Sequence, residues 1–144
     1  MRLLQQFTLT LPKSEVLTSN GGRGHHQAHG KAVKNIIEKA RPLVRRLEPM
    51  ESAFIIVQVF KGHARAYDAA NLHETVKPIV DAVVRGGKIA DDDNSRVLGP
   101  LPVHGGVNRS LSKRANPYLG ERIQFRVLFF EDGEIRSQLE NMLG

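Results

Sequence analysis

The run AFIIVQVF, from Ala53 to Phe60, constrains the fold more than any other stretch of the chain. It is β-branched and aromatic, has strand length, and is apolar enough to lie centrally in a sheet. Other segments must supply the neighbours. In LLQQFTLTLP, Leu3, Phe7, Leu9 and Leu11 fall at alternate positions, the period of a half-buried strand, which Pro12 ends. RIQFRVLFF, from Arg122 to Phe130, reads as another strand, and Val97 with Leu98 opens a short one. The segment from Pro100 to Leu119 reads as a basic loop holding His104, Arg109, Lys113 and Arg114.

Helical spacing takes over between these runs. From Lys31 to Leu47, Val33, Ile36, Ile37, Ala40, Val44 and Leu47 share one face, leaving a basic outer surface, and Pro42 is expected to kink the helix. Val76, Val80 and Val83 mark a second helix, with Thr75 as its N-cap, Pro78 in its first turn and Gly86 as a left-handed stop. Ile135, Leu139 and Met142 suggest a short closing helix. Without a repeating βαβ rhythm, the expectation is one α+β domain over residues 1–144, a mixed or antiparallel sheet flanked by helices.

Composition narrows the chemistry. The absence of cysteine excludes disulfides, thiolate zinc sites and cysteine nucleophiles, and fits a reducing interior. No segment has the apolar length of a signal peptide or membrane span, so a soluble, cytoplasmic protein is expected, and the sequon Asn108-Arg109-Ser110 is discounted. The net charge of +6 favours an acidic partner, most simply nucleic acid, with Arg23, Lys31, Arg109, Lys113 and Arg114 as candidate phosphate contacts.

Against that background, Asp91, Asp92 and Asp93 stand in a row in KIADDDNS. Two like charges ~4 Å apart repel by roughly 4 kcal/mol at an effective dielectric of 20, so clustered acids need an offset. A divalent cation supplies one, since magnesium takes hard oxygen ligands. Asp68, read as lying at the end of a strand, and the 91–93 run would then converge through the intervening helix, whose Lys77 and Asp81 share a face. That constellation suits phosphodiester hydrolysis. A solvated turn is the alternative, because Asp and Asn favour turns, and spacing alone leaves both open. An EF-hand is not supported, for its sixth-position glycine and twelfth-position glutamate are missing. GGRGHHQAHG lacks the ending of a nucleotide-binding P-loop, so no nucleotide cofactor is expected. His25 and His29 would share a face if that loop became helical, around His26, which leaves zinc binding or a polar loop reaching toward a ligand.

The stretch YDAANLHETVKPIVDAVVRGGKIADDDNSRV, roughly a fifth of the chain, resembles the core of the RusA-type Holliday junction resolvases, particularly the phage-encoded branch. Asp68, Asn71 and Leu72 match the family's Asp-x-Asp-Asn-Leu opening, Lys77 and Asp81 its helix, and Asp91 with Asp92 its acidic pair. The resemblance implies a homodimeric endonuclease that resolves four-way DNA junctions by paired symmetrical nicks in recombination and repair. It implies magnesium, or manganese in its place, with Asp68, Asp92 and Asp91 as metal ligands. Asp68, Asp92 and Lys77 become the catalytic set, and Asn71, Asp81 and Asp93 secondary candidates. Two departures stand out: Ala70 replaces the motif's second aspartate, and HETV lengthens the segment before Lys77. A branched-DNA-binding protein without cleavage, or a nuclease acting more broadly on flaps and forks, are the alternatives.

Overall fold

The apolar run does become an interior strand. In the computed structural model, which describes residues 1–19 and 26–144 (the backbone alone for 26 and 27), four strands form one sheet. They are β1 (Leu3–Pro12), β2 (Ala53–Lys61), β3 (Val97–Val107) and β4 (Arg122–Phe130), in the order β1-β4-β2-β3. β4 pairs antiparallel with both β1 and β2, while β2 pairs parallel with β3. With three helices, α1 (His26–Val44), α2 (His73–Arg85) and α3 (Gly133–Leu143), this is an α+β fold with a mixed sheet.

One sheet face carries the core. Ile55, Val57 and Val59 of β2 and Phe125, Val127 and Phe129 of β4 are fully buried with Ile36 and Val44 of α1 and Val76, Ile79 and Val83 of α2. Each such side chain is worth about 1.5–3 kcal/mol relative to exposure, so this layer fixes where both helices sit. Phe54, Ile56, Gln58 and Phe60, on the opposite face, stay half-buried, as do Gln124, Arg126, Leu128 and Phe130.

Several elements depart from the sequence reading. The stretch from Pro100 to Val107 is strand, not loop: β3 is an edge strand, where Pro100 and Pro102 cost fewer ladder bonds. Its register against β2 shifts between Phe54 and Ile56 and between Val59 and Phe60. α1 begins at His26, inside the segment read as loop, and Pro42 sits in its last turn, two residues before its end. α3 forms but does not close onto the core: Ile135 is half-buried, while Leu139 and Met142 are exposed. It is anchored at its start, where Asp132 pairs with Arg136 and accepts from Ser52 Oγ at 2.9 Å.

Thr75 does not cap α2. It is fully buried, accepting from Leu17 N at 2.8 Å and donating to Leu17 O at 2.6 Å, and so ties the helix to the chain after β1. α2 therefore starts one turn nearer its N-terminus, at His73, and Pro78 lies inside it. At the other end two glycines divide the work assigned to one. Gly86 keeps right-handed geometry, and an added Cβ would stand 2.7 Å from Val44 Cγ1, so it permits the close approach of α1. Gly87 takes the left-handed turn at φ 73°. Lys88 N then bonds Val83 O and Gly87 N bonds Val84 O, the Schellman pattern.

Candidate functional site

Asp68 lies beyond β2 rather than at its end, in the loop that follows Lys61, where it opens a 3-10 turn over Ala69–Leu72. One of its oxygens accepts from Ala70 N at 3.0 Å. Asn71 N donates to Asp68 O, Asn71 O accepts from Ser19 N at 2.8 Å, and buried Leu72 pins the turn to the core. The turn leads directly into α2, so Asp68 is fixed relative to that helix.

One turn into α2, Lys77 holds two acids at once. Its Nζ donates to Asp81 Oδ1 and to Asp92 Oδ2, both at 2.8 Å. Asp81 is reached along the helix at i+4, while Asp92 returns from the loop after α2. The ammonium thus offsets the repulsion between two carboxylates. Hydrogen bonding to Asp81 and then Asp92 raises the Lys77 pKa above its ordinary value, and Lys77 in turn lowers that of Asp92. With side chains 46% and 43% exposed, Lys77 and Asp92 remain open to a ligand.

The three consecutive aspartates have different partners. Asp91 Oδ1 accepts from Asp92 N at 2.7 Å, which holds the pair in a local turn. Asp93 Oδ1 accepts from Ser95 N and Oγ, lowering its pKa, and its carbonyl accepts from Arg96 and Val97 N. Asp93 is the turn residue that one reading of the sequence foresaw, whereas Asp92 faces the helix.

Among the described residues, no three His, Asp or Glu side chains come close enough together to hold a metal ion. Magnesium does not require such a cage, since it usually keeps several waters and takes one or two carboxylates with substrate phosphate oxygens. Asp68 and Asp92 are exposed, and each keeps one oxygen without a hydrogen bond among the described residues. Each therefore has an oxygen free for a ligand, Asp68 at the turn that opens α2 and Asp92 beside Lys77.

Of the expected phosphate contacts, Arg109 and Arg114 line one hollow of about 500 Å³ with Gly62, Ser112 and Ala115. Lys113 beside them and Lys31 on α1 are exposed. Arg23 and His25 lie outside the described residues, and His29 is exposed on α1. Sequence reasoning missed one cluster beside Asp68. Tyr67 donates its hydroxyl to Val59 O at 3.2 Å and lies 2.9 Å from His104 Nδ1, with Lys61 Nζ 4.0 Å from its ring centre. Burial lowers the Lys61 pKa and raises that of Tyr67. Only the parallel pairing of Val59 with His104 brings these residues together, and no short-range sequence signal announces it. No family model matches the chain, and no curated protein matches it.

Proposed function

We propose that this chain is a magnesium-dependent, structure-selective endonuclease that resolves four-way DNA junctions by paired symmetrical nicks, acting as a homodimer in the cytoplasm. The observation that carries the reading is the pair of hydrogen bonds that Lys77 donates to Asp81 and Asp92, on the helix that Asp68 leads into. These are the residues on which the resemblance to RusA-type resolvases rests.

In this reading Asp68 and Asp92 are the residues that would hold the ion. When bound, the ion polarises the phosphoryl oxygen and lowers the pKa of its water. Lys77, kept charged by its two acids, faces the charge that develops on the phosphate. Arg109, Lys113, Arg114, Lys31 and Arg23 hold the arms. Paired nicks need two sites, which a twofold dimer supplies. The half-buried sheet face around Ile56 and Leu128 and the exposed Leu139 and Met142 of α3 offer apolar surface for such pairing.

A second reading, junction binding without cleavage, is favoured by Ala70, which removes a carboxylate from the motif. Incubating the purified protein with a four-way junction and a matched linear duplex, with and without magnesium, separates them. Paired nicks in the junction alone, dependent on the ion, are expected. Tight binding with no nick would establish the second reading, and neither binding nor cleavage would overturn both.

A further inference from the structure

Where α1 and α2 end side by side, a hollow of about 300 Å³ opens between them. Its apolar floor includes Val44 and Ala82, and its rim carries Arg41, Arg45, Arg85 and Lys88. No carboxylate lines it, and none of the four cations forms an ion pair among the described residues. Cations at helix C-termini have an ordinary explanation in the macrodipole. Two helix ends, however, supply only about −0.5 each, so four formal charges leave roughly +3 around the hollow. That excess suits an oxyanion, and arginine forks bind phosphate oxygens in pairs.

We infer that this hollow is a phosphate subsite and that its ligand is a backbone phosphodiester of DNA flanking the one at Asp92. The inference rests on the nuclease reading for the source of the phosphate, though not for the pocket's preference for an anion. Continuity links the two sites. Lys77, Asp81 and Arg85 follow at four-residue intervals on α2 and so run along one side of it. Lys77 and Arg85 are about 12 Å apart along the axis at 1.5 Å per residue. Measured along a duplex axis lying parallel to α2, that span equals the rise of three to four base steps at about 3.4 Å each. A strand whose scissile phosphate lies at Lys77 would present a neighbouring phosphate to the hollow.

The test has two arms on the full chain. In the first, junction binding is followed by fluorescence anisotropy across a salt series without divalent ions. The proteins compared are wild type, Arg45→Gln/Arg85→Gln, and a control of equal charge change, Arg2→Gln/Arg46→Gln. The pocket variant should lose about 0.9 from the slope of log K against log salt, the value for one phosphate, and the control much less. In the second arm, inorganic phosphate is titrated while backbone amide shifts are recorded by NMR. Val44, Ala82 and Gly86 should shift in wild type and not in the pocket variant. Unchanged thermal midpoints confirm that the variants are folded, as expected for exposed side chains. If phosphate moves these amides but the DNA slope is unaltered, the backbone of DNA is overturned as the ligand. If wild type binds no junction while phosphate still moves them, the nuclease reading falls and a free phosphate group takes its place. If phosphate moves none of them, the subsite itself is refuted.

Discussion

The two halves of α2 use charge in opposite ways. In its first half one lysine is shared between Asp81 and Asp92, so their repulsion is offset but one negative charge is left over. At its last turn Arg85 joins Arg41, Arg45 and Lys88 around a hollow that, among the described residues, no carboxylate lines. The difference teaches where a ligand of each sign has something to add. At the paired end a cation can take up carboxylate oxygens that Lys77 leaves open. At the unpaired end four like charges persist at a cost that an anion would relieve.

The largest effect should come from breaking the acidic end. Asp92→Asn keeps shape and removes a charge, so cleavage of a four-way junction should fall at least about 100-fold, ~2.7 kcal/mol in barrier. Junction binding should persist or strengthen, since a negative charge facing the phosphate is lost. Global stability should change by less than about 1 kcal/mol, because the pair is nearly half exposed. Retained cleavage in Asp92→Asn would make the pair a surface contact with no part in chemistry.

The basic end can be broken by space instead of charge. In Gly86→Ala the new Cβ meets Val44 Cγ1, on a stiff, buried residue, and should cost about 1–3 kcal/mol in urea unfolding. Adding Val44→Ala should remove most of that penalty. Gly87→Ala meets no neighbouring atom but must hold φ near 73°, which should cost roughly 1 kcal/mol and be indifferent to Val44. Equal responses of the two glycine variants to Val44→Ala would show that packing and backbone strain are not divided between them.

How much of this was legible beforehand follows from the range of each signal. The Lys77–Asp81 pair is set by helical spacing alone and could be read directly. The return of Asp92 could not, since nothing local distinguishes it from Asp93; only the family resemblance favoured it. β1, β2 and β4 were legible because each alternates or runs apolar, whereas β3, with its prolines and glycines on a sheet edge, resembles a loop in composition. Thr75 has the chemistry of a cap, and a tertiary tie to Leu17 overrode it. The basic hollow was invisible for a similar reason: Arg41 and Arg45 read as a solvated helix face until α2 was placed beside them.

A smaller effect separates the two ends by pH. Lys77 lowers the Asp92 pKa in the folded state, so this pair contributes stability above the ordinary value of 3.8 and loses it as pH falls through the folded value. Lys77 is raised above 10.5, so its own contribution is complete below that value and fades only as pH rises through its folded pKa. Lys77→Met should therefore lower stability at pH 7, by under about 1 kcal/mol for so exposed a pair, and by less near pH 3. Arg85→Gln, with no carboxylate partner among the described residues, should show no such dependence. A Lys77→Met penalty that persists undiminished at acid pH would assign it to the packing of the lysine stem.

The smallest effect tests the residue where the chain departs from the motif it resembles. Ala70 is exposed, and its backbone N–H already holds Asp68 in place. Ala70→Asp adds a carboxylate two residues from Asp68, and like charges so close favour a bound cation. Magnesium readily exchanges a water for such a ligand, so the concentration for half-maximal cleavage should fall, by about threefold, or ~0.6 kcal/mol at 1.36 kcal/mol per tenfold. The maximal rate should rise with it. Asp93→Asn is the matched control: its carboxylate is committed to Ser95, and it should leave the metal requirement unchanged. If Ala70→Asp alters nothing while Asp93→Asn abolishes cleavage, the ion is held around the third aspartate, and Asp68 serves only to cap the turn that leads into α2.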